Sequence, residues 1–343
     1  MRLNEVGEFA LIARLTDQLG IATTRPDVKL GIGDDAAALD LGGDHLLLAT
    51  CDAQVEGRHF RRTVATPEEI GAKALAVNLS DIAAMGGEPL WALVSLLTPP
   101  TLDVSVLDGV YAGLRTQAQR YGVAIVGGNV ASTDGPLTID ITLLGRCPRD
   151  RLITRGGAQP GDALLVTGTL GNGLAGLLAA TTTERQRLAG VDDALLREAR
   201  EAMVAPTPRA ACGQALAATG MITAMLDLSD GLTGDLAHIC ERSNVGATID
   251  AAALPVALAA QAIATALGRD PLGLALHGGD DYELLFTTRP AGIATAIAAA
   301  RASGVEAHVI GVITEREAGM RLRASDGSER SLEPQSWDHL LGQ

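Results

Sequence analysis

Aromatic side chains make up only 2% of the 343 residues, so aliphatic packing must build whatever cores the chain has. Basic residues are also few. The 27 Lys and Arg against 41 Asp and Glu leave a formal charge of −14 at pH 7, which repels a phosphate backbone and argues against nucleic acid as a partner. The four cysteines, Cys51, Cys147, Cys212 and Cys240, form no CxxC pair. That spacing indicates neither a zinc knuckle nor a disulfide framework, and a reducing cytoplasm fits it best. No long uninterrupted apolar run is present: the greasiest stretch, 251–267, is mostly alanine and is broken by Pro255 and Gln261, so no membrane span is expected. Glu5, Glu8 and Asp17 among apolar positions make residues 1–20 an amphipathic helix rather than the uncharged core of a signal peptide. The familiar phosphate-binding loops are missing too, with no GxxxxGK[ST] and no GxGxxG accompanied by a kinase lysine motif.

Apolar material is plentiful. At 47% hydrophobic residues the chain can bury two ordinary cores, and two domains are expected. Thr66-Pro67-Glu68-Glu69 reads as a helix start, with a threonine cap, proline in the first turn and glutamate three residues after the cap. This helix should end near Gly86-Gly87. Strand-like runs at 46–50 and 90–98 flank it, and a helix over 104–121 and strands over 123–126 and 137–144 follow. The first half is therefore a mixed α/β unit. A Gly- and Pro-rich segment over 146–162 marks a boundary, dividing the chain into 1–147 and 148–343. Beyond it, strands at 163–167, 221–226, 282–287 and 307–313 alternate with alanine-rich helices, the pattern of a layered α/β domain.

Acidic residues gather at the turns. Gly31-Ile32-Gly33-Asp34-Asp35 sets two carboxylates after a glycine-flanked turn, and Asp52 closes an apolar strand. Asn78 and Asp81 stand three apart on the helix and share a face. Asp227-Leu228-Ser229-Asp230-Gly231 follows a hydrophobic strand and precedes a helix, where side chains and helix N-terminus can converge on an oxyanion or a metal. Asp280 and Asp281 come directly before a strand. Taken singly, each motif also fits a solvated turn, a helix cap or a hairpin. Taken together, they concentrate carboxylates that repel by about 4 kcal/mol per close pair at an effective dielectric of 20, so protons or cations must compensate. Oxygen-only ligation selects a hard ion such as Mg²⁺, which typically completes its shell with substrate phosphates. The chemistry indicated is phosphoryl transfer.

These residues closely resemble the thiamine-monophosphate kinase family, in the superfamily that includes aminoimidazole ribonucleotide synthetase, selenophosphate synthetase and a hydrogenase maturation protein. The resemblance runs nearly end to end. It rests on GIGDDAA at 31–37, Asp52 with His59-Phe60 seven residues on, NLSDIAAMG at 78–86, DLSDGL at 227–232 and GGDDYEL at 278–284. It implies a two-domain aminoimidazole ribonucleotide synthetase-like fold, with 1–147 as the ATP- and magnesium-binding, dimerising domain. The implied activity is ATP-dependent phosphorylation of thiamine monophosphate to thiamine diphosphate. By the same resemblance Asp34, Cys51 (through its backbone), Asp52, Asp81, Asp227 and Asp230 fall on magnesium positions. Tyr111, Gly128, Asn129, Arg155 and Ser229 fall on nucleotide positions, and His59, Asp280 and Trp337 on thiamine phosphate positions.

One departure stands out. The family's Gly-Gly-Asp-Thr is here Gly127-Gly128-Asn129-Val130, so one magnesium ligand offers a carbonyl oxygen without charge. Two other readings remain open: a noncatalytic ATP-binding regulator, which Asn129 motivates, and another ATP-dependent synthetase of the superfamily. Against the latter stand the absent C-terminal cysteine, with Leu341-Gly342-Gln343 in its place, the absent reactive N-terminal Cys, and the presence of His59, Phe60 and Trp337.

Overall fold

A computed structural model describes residues 3, 8–20, 24–183 and 185–335; Trp337 lies outside them. The first half contains α1 (Glu8–Leu19), β1 (Val28–Leu30), β2 (Ala37–Leu39), β3 (His45–Val55), α2 (Pro67–Ala84), β4 (Glu88–Thr98), α3 (Val104–Tyr121), β5 (Ala124–Ser132) and β6 (Thr138–Pro148). Its six strands form one sheet in the order β1-β2-β3-β6-β4-β5. Among the described residues of this sheet only β4 and β5 pair in parallel, which is where the chain needs the crossover helix α3.

The second half runs β7 (Ala163–Thr167), α4 (Asn172–Thr181), α5 (Asp193–Val204), α6 (Ala210–Ala218), β8 (Ile222–Asp227), α7 (Leu232–Ser243), β9 (Gly246–Asp250), α8 (Leu258–Leu267), α9 (Pro271–His277), β10 (Leu284–Thr288), α10 (Ile293–Ala302), β11 (Ala307–Thr314), β12 (Met320–Arg323) and β13 (Glu329–Ser331). These strands form a seven-stranded sheet ordered β13-β12-β9-β11-β7-β10-β8. The expected mixed α/β architecture is present in both halves. The short strands β1, β2, β9, β12 and β13 were not anticipated. In Gly246–Asp250, for example, Gly246 and Ala247 carry no β-forming side chain, and burial within the sheet makes the strand.

α2 organises the molecule. Thr66 caps it in the expected capping box: the Thr66 hydroxyl accepts the Glu69 amide and the Glu69 carboxylate accepts the Thr66 amide. The helix is apolar nearly all round, the pattern of a helix covered on every side. One face packs Ile70, Leu75, Leu79 and Ile82 with the first sheet, and its C-terminal end places Ala83 and Ala84 in a second core with Cys212, Leu216 and Phe286. Gly213 of α6 permits that approach, since a Cβ there would lie 2.0 Å from the Ala83 carbonyl oxygen. Beyond Glu68 and Glu69 of its first turn, the polar residues α2 carries, Lys73, Asn78, Ser80 and Asp81, are therefore held among buried surroundings between the two halves.

The other face of the first sheet is uncovered. Trp91, Leu93 and Leu97 of β4 and Val126 and Val130 of β5 are 39–67% exposed, an apolar patch at the sheet's β5 edge.

Candidate active site

Between the two halves lies a cleft of about 1750 Å³. That exceeds the roughly 300–1,000 Å³ of a pocket for one small ligand and leaves room for two. Asp34, Asp35, Cys51, Asp52, His59, Asp81, Arg155, Asp227, Ser229, Asp230 and Asp280 all line it. Strand ends and tight turns bring them together. β8 and β10 pair with Asp227 opposite Leu284, which sets the loop after β8 against the loop before β10. Backbone bonds then join the two loops: Asp280 donates to the Ser229 carbonyl and Tyr282 to that of Leu228, each at 2.8 Å.

At the cleft floor, one carboxylate oxygen from each of Asp35, Asp81 and Asp227 lies within 4.8 Å of the others. Asp35 is pinned from one side, its Oδ1 accepting from Arg155 Nε at 3.1 Å and Nη2 at 2.5 Å. Asp35 Oδ2 is buried without a hydrogen-bond partner. The Thr50 hydroxyl donates to Asp81 Oδ2 at 2.5 Å. Burial first, and the charge of Asp52 next, push Asp81 well above the usual carboxylate range. Burial, then Asp35, raises Asp227 to about 7. An orphaned oxygen inside an oxygen-only set of mutually repelling carboxylates fits a hard divalent cation.

The adjacent acids at 34 and 35 divide the work. Asp34, the member of the pair expected to bind metal, accepts the backbone amides of Arg155 at 3.1 Å and of Asp35 at 3.1 Å, and burial raises it to about 6. Asp35 is the one turned into the carboxylate group. Its only signal in the sequence was its place beside Asp34. Arg155, expected at nucleotide, is held by Asp35. Cys51 directs its thiol to Asp140 Oδ1 at 3.2 Å, leaving its backbone for any ligand role. Asp230 stands at the start of α7, where its amide and that of Gly231 donate to the buried Asp235.

His59, which also lines the cleft, accepts the Val55 amide on Nδ1 at 3.0 Å, which leaves the neutral ring's proton on Nε2. Asp280 accepts from Lys73 Nζ at 2.8 Å and from the Tyr282 hydroxyl at 2.9 Å. Sequence reasoning missed Lys73, whose signal was a lone cation in an apolar helix. Asp280 and Tyr282 both have positive φ, 66° and 50°, unusual for residues other than glycine and frequent at functional turns.

Tyr111, Gly128 and Asn129 are not among the residues lining this cleft. Gly128 and Asn129 lie on the edge strand β5 and Tyr111 on α3. Asn129 pairs with Ser95, which is in register with Asp140 and then Ala53, so three strand spacings, about 14 Å, separate it from β3. Gly128 is required there, because a Cβ would lie 1.8 Å from the Val94 carbonyl oxygen.

A family model described as AIR synthase related protein, N-terminal domain, matches residues 33–147, and its C-terminal-domain counterpart matches 159–322. Thiamine-monophosphate kinase of Escherichia coli (strain K12) is 38% identical over 339 residues, covering 97% of this chain and 98% of that protein. A solved structure described as AaThiL complexed with AMPPCP and TMP aligns with a TM-score of 0.82 and 32% identity over 99% of both chains. The crystal structure of thiamine monophosphate kinase from Aquifex aeolicus aligns with a TM-score of 0.77 and 30% identity, covering 97% of this chain and 100% of that one.

Proposed function

Because this chain belongs to the thiamine-monophosphate kinase family, we propose that it transfers the γ-phosphoryl group of ATP to thiamine monophosphate, the last step in making thiamine diphosphate. The observation that carries this reading is the buried group of Asp35, Asp81 and Asp227 at the floor of a cleft large enough for two substrates. An oxygen of the acceptor phosphate bonds to the γ-phosphorus as the bond from that phosphorus to the β-phosphate bridging oxygen breaks, and ADP leaves. The acceptor's second pKa is about 6, so its oxygen is already anionic at pH 7 and needs no general base.

Charge and alignment are the main obstacles. Asp35, Asp81 and Asp227, with Asp34, Asp52, Asp230 and the Cys51 backbone around them, would hold magnesium, which would supply charge neutralisation between the two polyanions. The protein's own groups do the positioning. Arg155 fixes Asp35 and Thr50 fixes Asp81. Ser229, which lines the cleft, contacts the nucleotide. The neutral His59 ring, the Asp280 carboxylate and Trp337 receive the thiamine moiety, whose cationic thiazolium suits an acid and an aromatic face. Phe60, buried beside His59, helps exclude water.

Residues 1–147 form the dimerising, ATP- and magnesium-binding domain, and 148–343 complete the cleft. The exposed apolar patch of β4 and β5 supports a homodimer joined through that sheet, with Tyr111, Gly128 and Asn129 beside the joint. Among the described residues no helix is long and apolar enough to cross a membrane, and we assign the enzyme to the cytoplasm.

The test is incubation of purified protein with ATP, excess Mg²⁺ and thiamine monophosphate, with thiamine diphosphate quantified by chromatography beside an Asp81→Ala control. Stoichiometric thiamine diphosphate and ADP that depend on Asp81 are expected. Measurable ATP binding without product would favour the noncatalytic regulator that Asn129 motivates.

A further inference from the structure

Lys73 is one of only two lysines in a chain whose other 25 basic residues are arginine. Its side chain is 5% exposed, and it is the one cationic residue among the buried polar positions of the described chain. It reaches from α2 across the cleft to Asp280, whose side chain is 37% exposed. Asp280 would keep a partner without it, since Tyr282 holds the other carboxylate oxygen. Lys73, Val77 and Asp81 fall at i, i+4 and i+8, one stripe of α2, and all three line the cleft. Eight residues of helix place Lys73 about 12 Å from Asp81 along the axis, a spacing that lets one small molecule meet both ends of the stripe.

Resting on the kinase reading above, we propose that Lys73 is a phosphate-binding residue for the acceptor. Before the acceptor binds, the Lys73 ammonium is paired with Asp280. An acceptor that carries a ring cation and a phosphate monoester exchanges both partners at once: the ring cation takes the Asp280 carboxylate, and the released Lys73 ammonium takes the acceptor phosphate. The exchange conserves ion pairs, so neither Asp280 nor the phosphate is left uncompensated as water is expelled. A lysine suits the task because its compact point charge rides on a flexible stem, whereas an arginine fork would be committed to one planar partner. Selection for the phosphorylated acceptor over its dephosphorylated form then resides in Lys73, and affinity for the ring cation resides in Asp280.

The experiment is calorimetric titration with thiamine monophosphate and, separately, with thiamine, in the presence of Mg²⁺ and a non-hydrolysable ATP analogue. Wild-type protein is expected to prefer the phosphorylated ligand by at least about 30-fold, a difference of about 2 kcal/mol. Lys73→Gln should reduce that preference at least tenfold while thiamine binds as well as before or better, and Lys73→Arg should retain part of it. A residue that merely braced Asp280 would weaken both ligands equally, and that result, or an unchanged preference, overturns the proposal. Should Lys73→Gln fold poorly, Lys73→Met/Asp280→Asn removes both charges together. It too must lose the preference, and a retained preference again overturns the proposal. Wild-type protein that binds neither ligand would overturn the kinase reading itself, and this proposal with it.

Discussion

Arg155 commits two nitrogens to a single oxygen of Asp35 and leaves the second oxygen buried without a partner, in a carboxylate shared with the Asp81 and Asp227 group. The guanidinium is thus as much a structural counter-charge as a site for ligand. Replacing it strands a buried carboxylate. Arg155→Met is expected to lower unfolding free energy by about 3 kcal/mol, measured by urea denaturation in chelator. A loss below about 1 kcal/mol would contradict the pairing as a stabilising contact.

Asp81 presents the opposite case. Burial, and after it the neighbouring carboxylates, push it upward, so removing its charge relieves both penalties in metal-free protein while removing a ligand oxygen. Asp81→Asn is expected to raise stability in chelator by about 1 kcal/mol and to lower turnover at least a hundredfold. Stability is read by denaturation and turnover by product chromatography. Simultaneous loss of both would mean that the side chain is needed for folding.

The pH dependence has a definite sign. Burial raises Asp227 to about 7 and Asp281, which accepts the Gly171 and Gly173 amides, to about 7. Each keeps a proton in the folded state that the unfolded chain releases above about pH 4. The folded state binds more protons between about pH 4 and 7, so the stabilisation from these groups is complete below that window and lost on rising through it. A cation bound at the proposed site would take the place of the proton on Asp227. Added Mg²⁺ should therefore raise the melting temperature clearly at pH 8 and little at pH 5, and an equal rise at both would refute the assignment.

Asn129 offers a carbonyl oxygen where the family resemblance expects a carboxylate. Asn129→Asp is expected to lower the Mg²⁺ concentration for half-maximal product formation several-fold, with maximal turnover little changed. An unchanged magnesium requirement would remove Asn129 from the metal chemistry.

The capping box at Thr66 anchors the helix that carries both Lys73 and Asp81. Thr66→Ala should cost about 1 kcal/mol of stability in urea denaturation and leave the preference for phosphorylated acceptor unchanged. A shift in that preference would show that the helix end moves the stripe.

Local signals in the sequence were sufficient for much of this protein. α3 and β7 have the bounds their periodicity implied, and the start of α2 was legible in Thr66-Pro67-Glu68-Glu69. In each case the determining interactions lie within a few residues, as caps, apolar spacing or alternation. Composition and carboxylate placement were enough to indicate phosphoryl chemistry. Tertiary structure decided what depends on residues far apart in the chain. It turned Asp35 rather than Asp34 into the buried group, because Arg155, 120 residues away, holds that side chain. It paired Lys73 with Asp280 across 207 residues, which no local pattern on α2 specifies. It also made a strand of Gly246–Asp250, since ladder hydrogen bonds to β11 and β12 compensate for weak intrinsic preference. Residue type sets which chemistry is possible, whereas the direction in which a carboxylate or ammonium faces is set by packing and by partners that only folding brings within reach.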